Sequence, residues 1–97
     1  MARPTQEQIT EQIEALPALK ETVPKAGMLG NNHLAIDAAA EVLARSMSHD
    51  DIYDKWGQEA CEEHGEDFDQ TVLDGAIAAY EWMRGTTTVL PTFALSE

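Results

Sequence analysis

The segment from Phe68 to Gly85 constrains the fold most. Phe68, Val72, Leu73, Ala76, Ile77, Tyr80 and Met83 recur at the three- and four-residue intervals of one helical face. Arg84 occupies the last turn and Gly85 follows as a C′ stop. Glu66, Asp67 and Asp69 crowd the start, where the helix macrodipole favours negative charge. Gly75 inside this run costs a helix about 1 kcal/mol relative to Ala, which points to a close helix contact there.

Two earlier segments carry the same period. Thr5 with Gln8 reads as a capping box, and Ile9, Ile13 and Leu16 then share a face from which Glu7, Glu11 and Glu14 turn away. Pro17 is expected to end or kink this helix, with Leu19 and Val23 tucked inward from a short extra turn, and Pro24 is a second stop before the turn at Gly27 and Gly30. Asn31 or Asn32 then caps a helix running to about Met47. Its buried stripe is Ile36, Ala39, Ala40, Leu43 and Met47, with Leu34, Ala38 and Val42 beside it. Its alanines permit close approach of a neighbour, and Asp37, Glu41 and Arg45 form its wet face.

Ser48 with Asp51 is a second capping box, opening a short helix that carries Ile52, Tyr53 and Trp56 and stops at Gly57. Gln58 to Gly65 is polar and reads as irregular. After Gly85 the texture changes: Thr86 to Leu90 is rich in β-branched residues, Pro91 blocks a helix, and Phe93, Ala94 and Leu95 are apolar. The chain of 97 residues is therefore expected to be all-α. The expected architecture is a small bundle of three main helices plus one short helix over residues 1–85, with an extended tail at 86–97, laid over the helices or offered to a partner.

Catalytic and metal-binding signatures are scarce. Cys61 and His64 have a ligand-like gap, but a structural zinc site wants four ligands in paired short spacings, and only one such pair exists. The acidic run from Asp50 to Asp54 lacks the glycine and glutamate of a calcium-binding EF-hand loop. No nucleophile elbow, phosphate-cradling loop or dinucleotide fingerprint occurs. The expectation is a protein that is not an enzyme and uses neither cofactor nor metal. One cysteine fits a reducing compartment, and no stretch approaches the roughly 20 apolar residues of a membrane span. The first residues lack the apolar core of a signal peptide, so a cytoplasmic location is expected.

Charge is the informative property. Eighteen Asp and Glu face six Lys and Arg, a formal net charge of −12. That excess repels phosphates, which argues against direct binding to nucleic acid or an anionic membrane. The excess is also lopsided. Ten acids, Asp50, Asp51, Asp54, Glu59, Glu62, Glu63, Glu66, Asp67, Asp69 and Asp74, fall between positions 50 and 74, with Lys55 the one base among them. Acidic runs ordinarily form solvated faces that keep a protein soluble. A basic partner would also relieve their mutual repulsion and speed encounter. Tyr53 and Trp56 lie inside the acidic interval as candidate anchors, although the plainer reading is that both plug the gap between the helices. Trp82 falls off the stripe of Ile77, Tyr80 and Met83, which makes it the better surface candidate.

Asn32-His33-Leu34-Ala35-Ile36-Asp37 and Asp50-Asp51-Ile52-Tyr53-Asp54-Lys55-Trp56-Gly57 resemble stretches of small acidic helical proteins carried by phages and plasmids. The resemblance implies an accessory role in the contest between mobile elements and hosts. Anti-restriction and anti-CRISPR inhibitors among such proteins present carboxylates where a host nuclease expects phosphates. The function expected is a binding protein that docks on the basic surface of a nucleic-acid-handling partner. Asp50, Asp51, Asp54, Glu62, Glu63, Glu66, Asp67 and Asp69 would supply the field, with Tyr53, Trp56 or Trp82 as anchors. The competing expectation is an assembly module, such as a homodimer or an antitoxin-like inhibitor, built on the alanine-rich helix and the apolar tail.

Overall fold

Local capping chemistry starts the first helix. The Gln8 N–H donates to Thr5 Oγ1 at 3.1 Å while Gln8 Oε1 accepts from the Thr5 N–H at 2.8 Å, a reciprocal capping box. In a computed structural model, which describes residues 3–22, 30–57, 59, 62 and 70–95, helix α1 runs Gln6–Thr22. It is followed by α2 (Gly30–Arg45), α3 (His49–Trp56), α4 (Gln70–Arg84) and a single turn, α5 (Pro91–Ala94). No strand occurs among the described residues, so the chain is all-α.

Pro17 does not end α1, contrary to expectation. The helix continues through it for five more residues, and Leu19 belongs to the same helix rather than to a separate turn. Pro17 is exposed, so the Ile13 carbonyl that loses its helical donor can turn to water. Fully buried Leu16 and half-buried Leu19 hold the helix to the core on either side. Val23, Pro24, the 27–30 turn up to position 29, Cys61, His64 and Phe68 lie outside the described residues.

The core is built where α2 and α4 lie along each other, the most extensive helix pairing in the structure. Ile36, Ala38, Ala39, Val42, Leu43 and Met47 face Val72, Leu73, Ala76 and Ala79 within one apolar cluster. Ile52 and Trp56 of α3 join it, as does Leu16 of α1. The stripe expected for α2 is present except at Leu34, which is 44% exposed, while Ala35 takes an inward place.

The ends of α2 and α4 close in the left-handed region. At the end of α4 the Gly85 N–H donates to the Trp82 carbonyl and the Thr86 N–H to the Glu81 carbonyl, with Gly85 at φ 86°. That is a Schellman motif on the glycine expected to stop the helix. The end of α2 uses the same device with a residue less suited to it. Ser46 has φ 49°, and the Met47 N–H reaches back to the Val42 carbonyl at 3.1 Å.

The C-terminal segment is extended only as far as Leu90. Pro91 then begins α5 instead of blocking a helix, because at the first helical position its missing N–H has no partner to lose. This turn packs on α1 and α4, with Pro91 buried and Leu95 against the core cluster. Gln12, itself 8% exposed, ties the segment down: its Oε1 accepts from the Thr92 N–H at 3.2 Å and from Thr92 Oγ1 at 2.9 Å.

Candidate functional site: the acidic face of α3

Helix α3 is only eight residues long, and its sequence divides it cleanly into faces. Ser48 caps it, Oγ accepting from the Asp51 N–H at 3.2 Å. Ile52 and Trp56, four residues apart, point into the core at 0% and 7% exposure. At ~100° per residue, Asp50 and Asp54, also four apart, are carried to the opposite side. Asp50, Asp51 and Asp54 are all exposed, and none forms an ion pair with another described residue.

The base expected to temper this face is turned away from it. The Lys55 ammonium passes 5.2 Å from the Trp56 ring centroid and ends on Glu41 Oε2 of α2 at 2.6 Å. Arg45 approaches the same carboxylate at 3.6 Å, and Lys20 pairs with Asp37 at 2.8 Å. Three of the six bases thus neutralise the wet face of α2, and the carboxylates of α3 keep their charge uncompensated by the helices around them.

The other border of the face is aromatic. Tyr53 is 44% exposed, and the His49 ring stands 4.6 Å from it and 5.7 Å from Tyr80 of α4. Tyr80 in turn lies under the Arg84 guanidinium at 5.4 Å. Among the three candidate anchors, Tyr53 alone is available on the surface.

Trp56 and Trp82 are corrected from surface anchors to core residues. Trp56 fills the space under α3. Trp82 is 6% exposed because α4 is packed not only by α2 and α3 but also by the C-terminal turn α5. The apolar stripe of α4 therefore marks only one of its packed faces.

Glu59 and Glu62 are exposed and continue the acidic stretch beyond α3. Glu63, Glu66, Asp67 and Asp69 lie outside the described residues. Asp74 is exposed on α4 and accepts from the Gln70 amide at 2.9 Å. Among the described residues no group of three His, Cys, Asp or Glu side chains is placed to hold a metal ion, and no helix is long and apolar enough to cross a membrane.

No protein-family model, curated protein or solved structure matches the chain.

Proposed function

We propose that the protein is a non-enzymatic binding protein whose acidic face, centred on α3, docks on a basic surface of a nucleic-acid-handling partner and so excludes nucleic acid from it. One observation carries the reading: Asp50, Asp51 and Asp54 stand exposed together while Lys55, the base on the same helix, is committed to Glu41. Uncompensated carboxylates on a rigid, capped helix are a fixed anionic surface of the kind a Lys/Arg groove recognises. Tyr53 at its edge supplies an aromatic anchor of low conformational entropy. Glu62, Glu63, Glu66, Asp67 and Asp69 would extend the field along the chain. The protein belongs, in this reading, with inhibitors that mobile elements deploy against host nucleases.

The test is replacement of the acids from Asp50 to Asp69 by Asn or Gln. Binding to the partner is expected to be abolished while helicity survives. Retained binding would remove the acidic face from the account.

A second reading has one observation in its favour. Val89, Leu90 and Phe93 are 45%, 43% and 70% exposed around the start of α5, an apolar edge suited to self-assembly or to an antitoxin-like arm. The alanines of α2 are no longer available to it, since Ala35, Ala38 and Ala39 are buried within the fold. Sedimentation at low and high salt separates the readings. Self-association through the tail is insensitive to salt, whereas acidic docking weakens as salt rises.

A further inference from the structure

An open groove of about 460 Å³ lies between the start of α1 and the extended segment before α5, on a part of the surface distinct from α3. That volume falls in the range of small-molecule sites. Its floor holds one side chain whose orientation is forced. Thr92 N–H can only donate, so the atom of Gln12 it meets must be the carbonyl oxygen, which Thr92 Oγ1 also contacts. The Gln12 amide nitrogen therefore faces the other way. It has no acceptor among the described residues, and since no buried side-chain nitrogen or oxygen is left unsatisfied, it opens on the groove that Gln12 lines. Two N–H donors are thus presented by a residue that is more than nine-tenths buried.

A cation lines the same groove. Arg3 lines the groove and forms no ion pair with another described residue, although the protein is rich in carboxylates. Trp82, Pro4 and Leu90 supply apolar wall. Glu11, on the same wall, sets the polarity the site must overcome. We infer that this groove binds a small carboxylate with an apolar, ring-sized body, its oxygens on the Gln12 amide and the Arg3 guanidinium and its ring against Trp82. Charge-assisted donors to a carboxylate are the stronger class of hydrogen bond, and the part of Trp82 that lines the groove, with Pro4 and Leu90, suits an apolar group. This assignment is independent of the acidic face.

The probe is 3-phenylpropanoate, followed through the Gln12 side-chain amide and Trp82 indole resonances of the isotopically labelled protein. Saturable shifts of both are expected, with a Kd on the order of 1 mM for a ligand so small. Gln12→Glu keeps an oxygen for Thr92 but replaces the donors with a charged acceptor, and should weaken binding at least about tenfold. Arg3→Ala, at an exposed position outside any helix, should weaken it about tenfold without touching the fold. Glu11→Gln should tighten it, which a merely structural role for these residues would not produce. The uncharged alcohol 3-phenylpropanol should bind more weakly than the carboxylate. No saturable shift at the two resonances up to about 10 mM probe, equal binding of acid and alcohol, or unchanged binding by Arg3→Ala would each overturn the assignment.

Discussion

Ala35 of α2 lies directly against Gly75 of α4: a Cβ placed on Gly75 would stand 2.9 Å from both the Cβ and the carbonyl oxygen of Ala35. Gly75 is buried in the middle of its helix, where glycine is the poorest residue short of proline. The contact explains its presence. Restoring a methyl group would gain about 1 kcal/mol of helix propensity but force the helices apart, and overpacking of this kind costs about 1–3 kcal/mol. Gly75→Ala should therefore leave stability unchanged or lower it, and Gly75→Val should lower it further, as read from urea unfolding midpoints. A rise of about 1 kcal/mol in the Ala variant would mean that the helices are not so close.

The helix stops make a paired prediction. Ser46 bears a left-handed backbone that costs an L-residue about 1 kcal/mol or more, so Ser46→Gly should stabilise the protein by roughly 0.5–1 kcal/mol. Gly85 occupies the equivalent place after α4, and Gly85→Ala should destabilise by about 1 kcal/mol. Thermal unfolding of both variants checks the signs, which must be opposite.

Burial of the tryptophans separates stability from recognition. Trp82→Ala and Trp56→Ala should each cost about 3–5 kcal/mol, since both side chains sit in the core. Tyr53→Ala should cost well under half of that and instead weaken partner binding. Parallel unfolding and binding measurements on the three variants distinguish a core residue from an anchor.

Gln12 and Thr92 lie eighty residues apart and join the first helix to the last. Removing either should loosen the C-terminal turn at a cost of about 1–2 kcal/mol. The double variant Gln12→Ala with Thr92→Val should cost less than the sum of the singles, because the pair shares its bonds. Protease sensitivity within 86–95 should rise in step.

What the sequence made legible was local. The caps at Thr5 and Ser48, the stop at Gly85, and the buried positions Ile36, Ala39 and Leu43 of α2 and Val72, Leu73 and Ala76 of α4 are written in neighbouring residues and take their expected places, whereas Ile77, Tyr80 and Met83 are only half-buried. What was not legible depends on pairings across the chain. Trp82 reads as a surface residue until the C-terminal turn packs on α4, and Gln12 reads as one more polar position until Thr92 arrives. Pro17 misled because its cost falls on one carbonyl that solvent can satisfy. The exposure of Asp50, Asp51 and Asp54 could be read from the wheel of α3. The withdrawal of Lys55 to Glu41 could not, since the i, i+4 rule assigns that carboxylate to Arg45.

The Lys55 contact itself is exposed and contributes little stability, about 0–1 kcal/mol, so Lys55→Gln should fold normally. Its value to the account is electrostatic. Removing this base deepens the negative field near α3 and should speed association with a basic partner at low salt without changing the unfolding midpoint appreciably.

The most direct measurement compares wild type with a variant carrying Asp50→Asn, Asp51→Asn and Asp54→Asn for capture of a basic nucleic-acid-binding protein, with duplex DNA and rising salt as competitors. Capture by the wild type, release by DNA and by salt, and loss of capture in the folded variant are expected. Equal capture by the variant, or a complex indifferent to both competitors, would contradict docking by the acidic face.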